Sequence, residues 1–162
     1  MSEPPPLSHL QEDGKSRMVD VGDKSVTRRE AEAEALVRYP SQAFQAVLAG
    51  EVPKGGVVEP ARLAGLMAAK RTSDLIPMCH QVALDGVEVD IVPHADGDPV
   101  LQVRCRAWTS ARTGVEMEAM VGASVAALTL YDMTKALDKG ICLENVRLIR
   151  KSGGKSGTWQ AQ

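Results

Sequence analysis

Aromatic side chains are scarce in this sequence: its 162 residues hold one Phe, two Tyr and two Trp. A module that stacks exposed bases draws on several such rings, so the shortage argues against single-stranded nucleic-acid recognition. Charge of one sign is missing too. Nineteen Lys and Arg stand against 21 Asp and Glu, a net charge of −2, which argues against a general nucleic-acid binder. The cysteines, Cys79, Cys105 and Cys142, are odd in number and widely spaced, which excludes a disulfide framework and a CxxC zinc pattern. The uncharged run Ala119 to Tyr131 is 13 residues long, short of the roughly 20 that a bilayer needs. Met1-Ser2-Glu3-Pro4-Pro5-Pro6 offers no basic start followed by an apolar run, so nothing directs secretion and a cytoplasmic setting is the default.

What is present suits one globular domain, with 44% apolar and 25% charged residues. Residues 1–17, with three consecutive prolines, read as a flexible leader, and the ordered domain begins near Met18. From Arg29 to Tyr39 two principles disagree. Ala and Glu favour helix, yet Ala31, Ala33, Ala35, Val37 and Tyr39 alternate with Glu30, Glu32, Glu34 and Arg38, which puts the small residues on one face of a strand. Pro40-Ser41 opens a short helix, Gln42 to Leu48, stopped by Gly50. Pro60 opens a second, Ala61 to Arg71, with Leu63, Leu66 and Met67 expected on its buried side. A loop, Thr72 to His80, leads to a hairpin of Val87–Val92 and Leu101–Ala107 around Asp96-Gly97-Asp98-Pro99. The stretch Gly114 to Gly140 reads as a long, closely packed helix with Gly140 as its stop, and Leu143–Ile149 as a last strand.

This order predicts a ferredoxin-like α+β sandwich: a four-stranded antiparallel sheet, helices on one face, and an extra short helix. A sheet covered on one face only predicts an oligomer.

Polar residues gather at the ends of the long helix. Asp132 and Lys135, at i and i+3, leave one side together and can pair. Alone, such a pair is a solvated surface contact; as the continuation of a buried segment it belongs at the mouth of a site. Glu116 and Glu118 either complement the helix dipole or receive a donor-rich ligand, and spacing leaves these even. Arg147 to Gly157 brings four cations and three glycines into eleven residues, a composition that can wrap phosphate oxygens. It is no Walker A loop, because Ile149 stands where the first Gly is required. Cys79-His80 makes a poor metal site, adjacent residues being awkward ligands for one ion, and no metal ligand is assigned. His80 suits a hydrogen bond to a ligand, proton carriage or a structural role.

Lys70-Arg71-Thr72, Asp74-Leu75-Ile76-Pro77, Cys79-His80, Gly114-Val115-Glu116-Met117-Glu118-Ala119, Tyr131-Asp132-Met133 with Lys135, and Lys151-Ser152-Gly153-Gly154-Lys155-Ser156-Gly157 together resemble the cyclic pyranopterin monophosphate synthases, the molybdenum cofactor biosynthesis protein C family. The likeness spans about residues 18 to 158 as a single catalytic domain and leaves 159–162 as a tail. It implies a lyase that converts 3′,8-cyclo-7,8-dihydroguanosine 5′-triphosphate to cyclic pyranopterin monophosphate and pyrophosphate. It also implies a homohexamer built as a trimer of dimers, with sites between subunits. No redox cofactor is implied, and the sequence leaves open whether Mg²⁺ accompanies the triphosphate.

Position by position, the resemblance makes Asp132 the catalytic aspartate, with Lys135 beside it and Lys54 as the second catalytic lysine. Met78, Cys79, His80, Met117 and Glu118 match substrate-binding segments, Glu116 lies in the same run, and Lys151 and Lys155 match a tail that faces the triphosphate. The chain departs from the family at Met78, Gln81 and Thr134, where Leu, Pro and Cys or Ala are common. The proton transfers of ring opening and rebuilding suit lysines of lowered pKa. The competing reading is a non-catalytic ferredoxin-like module that binds a nucleotide or RNA, for which Trp108 is the one aromatic at a central strand.

Overall fold

The computed structural model describes residues 15–155 and 157–162, so most of the leader and Ser156 lie outside the described residues. In chain order the elements are β1 (Thr27–Arg38), α1 (Ser41–Ala49), α2 (Val58–Ala69), α3 (Thr72–Leu75), β2 (Gly86–Pro93), β3 (Val100–Ala111), α4 (Glu116–Thr134), β4 (Cys142–Ser152) and β5 (Trp159–Gln160). The sheet runs β2-β3-β1-β4-β5, antiparallel throughout. This is the ferredoxin-like sandwich with α2 and α4 against one face. The strand count is five rather than four, because Trp159 and Gln160, expected in the tail, pair with Lys151 and Arg150 at the edge of β4. The expected loop Thr72–His80 also begins with a helical turn, α3. Among the described residues no helix is long and apolar enough to cross a membrane.

The alternation in β1 resolves as a strand. Ala31, Ala33, Ala35 and Val37 are all but fully buried beneath α4, and the glutamates face the other way. On that second face the strand makes its own polar closure. Glu30 takes Arg106 at 3.0 Å, and the buried Glu34 takes Arg147 at 2.8 Å and Gln102 at 2.9 Å. Arg106 also lies over the Trp108 ring, 5.2 Å from its centroid.

The helix layer corrects two expectations. Leu63 and Met67 are not on the buried side of α2; they are 58% and 53% exposed, while Ala61, Gly65, Ala68 and Ala69 face inward. The reason is how closely α2 crosses α4: a Cβ on Gly65 would stand 2.9 Å from the Gly122 carbonyl oxygen. Only small residues fit that seam, so the bulky ones turn out. Nor does α4 run to Gly140. It ends at Thr134, and Gly140 instead gives its N–H to Asp138 at 2.7 Å in the following turn.

Gly122 is the tightest point of this packing, since a Cβ there would lie 2.5 Å from Cys105 Sγ on β3. Gly122→Ala is therefore predicted to cost about 1–3 kcal/mol by overpacking, roughly 3–10 °C in Tm for a chain of this size. A thermal melt within a degree of the parent would contradict the close approach.

Candidate active site

The two ends of α4 carry different chemistry. At the N-terminal end, the loop after α3, the segment before β1 and the start of α4 enclose a cleft of about 380 Å³, lined among others by Val19, Cys79, His80, Glu116 and Glu118. Met78 and Met117 also line it. His80 Nε2 donates to the Val19 carbonyl at 2.7 Å, which ties this loop to the segment ahead of β1.

Glu118 is the least solvated charged group here, 3% exposed. Its Oε1 accepts from the Cys79 thiol at 3.6 Å, and its Oε2 has no hydrogen-bond partner. Burial raises the pKa of Glu118 above its ordinary 4.5. Burial, followed by the nearby Glu118 charge, pushes the Cys79 thiol up to about 11. A buried carboxyl oxygen without a partner costs free energy until a donor arrives, which suits a place for a ligand's N–H groups.

Glu116, by contrast, is already engaged: Lys151 Nζ donates to its Oε1 at 2.9 Å. Lys155 is exposed in the turn beyond β4 and does not line the cleft. Arg29, which the residue patterns do not single out, stands beside Lys151 in a small adjoining cavity of about 50 Å³. Its signal was hidden in the Arg-rich start of β1, where nothing in spacing separates a ligand-facing cation from a solvated one.

At the C-terminal end, Asp132 receives two ammonium groups. Lys135 Nζ lies 2.7 Å from Oδ1, and Lys54 Nζ 2.9 Å from Oδ2, Lys54 also donating to the Asp132 carbonyl at 2.9 Å. Lys54 comes from the turn after α1, where Gly55 adopts φ 81°. All three side chains are about half exposed. Hydrogen bonds from Lys135 and then Lys54 hold Asp132 down to a pKa of about 2. The same contact raises Lys135. The expected lowering of a lysine pKa is thus reversed at Lys135: a carboxylate partner favours the charged amine, and no second cation outweighs it.

Lys54, Asp132 and Lys135 therefore converge, and Met78, Cys79, His80, Glu116, Met117 and Glu118 converge, but at opposite ends of one helix. Glu118 and Asp132 are fourteen residues apart, about 21 Å along the axis.

The family model described as the MoaC family matches residues 18–154 of this chain. A curated relative, the cyclic pyranopterin monophosphate synthase of Novosphingobium aromaticivorans, is 54% identical over 157 residues, covering 96% of this chain and 97% of its own length.

The Glu118 environment makes a signed prediction. A carboxyl whose folded pKa is raised carries its penalty above that value and sheds it as pH falls toward the ordinary 4.5. Glu118→Gln should melt above the parent at pH 7, with the gain shrinking at about pH 4. An equal gain at both pH values, measured by calorimetry, would show that ionisation is not the cause.

Proposed function

The chain belongs to the MoaC family, and we propose that it is the lyase that converts 3′,8-cyclo-7,8-dihydroguanosine 5′-triphosphate to cyclic pyranopterin monophosphate and pyrophosphate in molybdenum cofactor biosynthesis. The observation that carries this reading is the single Asp132 carboxylate served by Lys54 and Lys135 from two different elements. Two ammonium groups held by one fixed anion form a proton-donating unit beside a surface open to a ligand. In the rearrangement, nitrogen and oxygen atoms of the opening ring need protons, and the amines gathered at Asp132 supply them. Asp132 orients both amines and stays ionised while they act.

The other half of the site supplies recognition. Glu118, short of a partner at Oε2, accepts from the amide and amino groups of the guanine-derived ring. Lys151 and His80 face the phosphates, and closure of the cyclic phosphate expels pyrophosphate whose charge these groups stabilise. The reading uses no redox cofactor, and any Mg²⁺ enters with the triphosphate.

Because the halves lie at opposite ends of α4, the working site is composed from two copies related by a two-fold axis, α4 running antiparallel to its counterpart. Such an isologous contact creates two equal sites at once. The exposed Leu63, Met67 and Leu128 on the helix layer give that contact an apolar surface, and three such dimers make the hexamer. The RNA-binding alternative is disfavoured by Trp108, which lies under Arg106 and so close to Gly86 that a Cβ there would sit 2.0 Å from the ring.

With purified substrate, Lys135→Gln should lower kcat by more than about tenfold, roughly 1.4 kcal/mol of barrier; a smaller loss removes it from the reacting groups. Two inactive variants test the shared site: Lys54→Ala and His80→Ala, co-expressed in equal amounts, should recover about a quarter of the parent activity, since mixed dimers rebuild one intact site. No recovery in verified mixed oligomers would mean each chain works alone.

A further inference from the structure

Next to the cleft that holds Glu118, the 50 Å³ cavity is lined by two cations with different fates. Arg29 donates to the carbonyls of Ala111 and Arg112, both at 3.4 Å. Its guanidinium rests on Gly154, where a Cβ would come within 1.7 Å of Nη1. Carbonyl partners hold this group in place, and among the described residues no carboxylate forms an ion pair with it. Lys151 is held by a full opposite charge, Glu116, at 2.9 Å.

Glu116 is itself seated. The Gly114 backbone presses on its carboxylate so closely that a Cβ at 114 would lie 1.9 Å from Oε2. Glu116 lines both the cleft that holds Glu118 and the small cavity, so it stands between the Glu118 carboxyl that receives the ring and the Lys151 ammonium that receives phosphate. Side chains 30% and 33% exposed make an ion pair weak enough to exchange partners, unlike a fully buried one.

We propose that Glu116 is a positioning residue that acts through Lys151: it is the internal counter-ion that an arriving phosphate displaces from the ammonium and that reclaims the ammonium when pyrophosphate leaves. This rests on the reading of the reaction as one that expels pyrophosphate. The carboxylate sets how tightly the chain holds that product, which makes it a determinant of release and not of ring recognition. A Glu116 that accepted from the ring would have the opposite signature, because its loss would weaken the substrate and leave pyrophosphate alone.

The experiment titrates inorganic pyrophosphate by calorimetry into the oligomeric parent, Glu116→Gln, Lys151→Ala and the double variant, each checked by thermal melt. Glu116→Gln should bind pyrophosphate about fivefold tighter, the scale of an exposed ion pair, with KM for the cyclised nucleotide and kcat both lowered. The gain should vanish in the Lys151→Ala background. Unchanged or weaker binding by Glu116→Gln, or the same gain without Lys151, overturns the counter-ion role while leaving the lyase reading intact. Pyrophosphate that binds none of the four proteins overturns the phosphate site and the counter-ion together.

Discussion

The architecture depends on how near α4 comes to what lies beneath and beside it. Ala31, Ala33 and Ala35 on β1 present methyl groups alone, Gly122 leaves room for the Cys105 sulfur, and Gly65 for the Gly122 carbonyl. Interiors are close-packed, so one added methylene in such a seam has nowhere to go. That intimacy fixes both ends of the helix against their neighbours: Glu116 against Lys151 at the end of β4, and Asp132 against Lys54 in the turn after α1.

Two carboxylates on the same helix then behave in opposite ways. Asp132 is half exposed and doubly partnered, so its proton is lost early and it serves as a standing anion. Glu118 is buried with one oxygen unpartnered, so its charged form is disfavoured. Water and cations favour ionisation in the first case; their absence opposes it in the second. On the lyase reading proposed above, an anion that steadies amines and an acceptor that waits for donors are complementary parts of one site.

Much of this was legible in the residues and some was not. The Glu/Ala alternation of β1 identified a strand against its own helix propensity, because period two leaves one buried face and period 3.6 does not. The i, i+3 spacing of Asp132 and Lys135 foretold their contact. The buried side of α2 runs against its residue pattern, since large apolar residues ordinarily face inward and only the crossing partner shows that this seam admits glycine and alanine. Gly140 is a good helix stop in sequence, while the chain leaves the helix at Thr134. Lys54 and Asp132 are 78 residues apart, beyond any local rule; family resemblance groups them as site residues, and only the fold shows them paired. The bond from Lys151 to Glu116 is legible by neither route, because nothing in their spacing shows them joined.

A helix that carries functional groups at both tips is also a gauge. Each residue between Glu118 and Asp132 adds about 1.5 Å of length and about 100° of rotation, so the separation of the two tips is written as a number of residues. Losing or gaining one between Gly122 and Asp132 would rotate the two against each other by about 100°, so Gly122 could keep its notch only by swinging the Asp132 carboxylate away from Lys54. Substitutions along α4 leave that spacing unchanged, but the length of this rod has no slack.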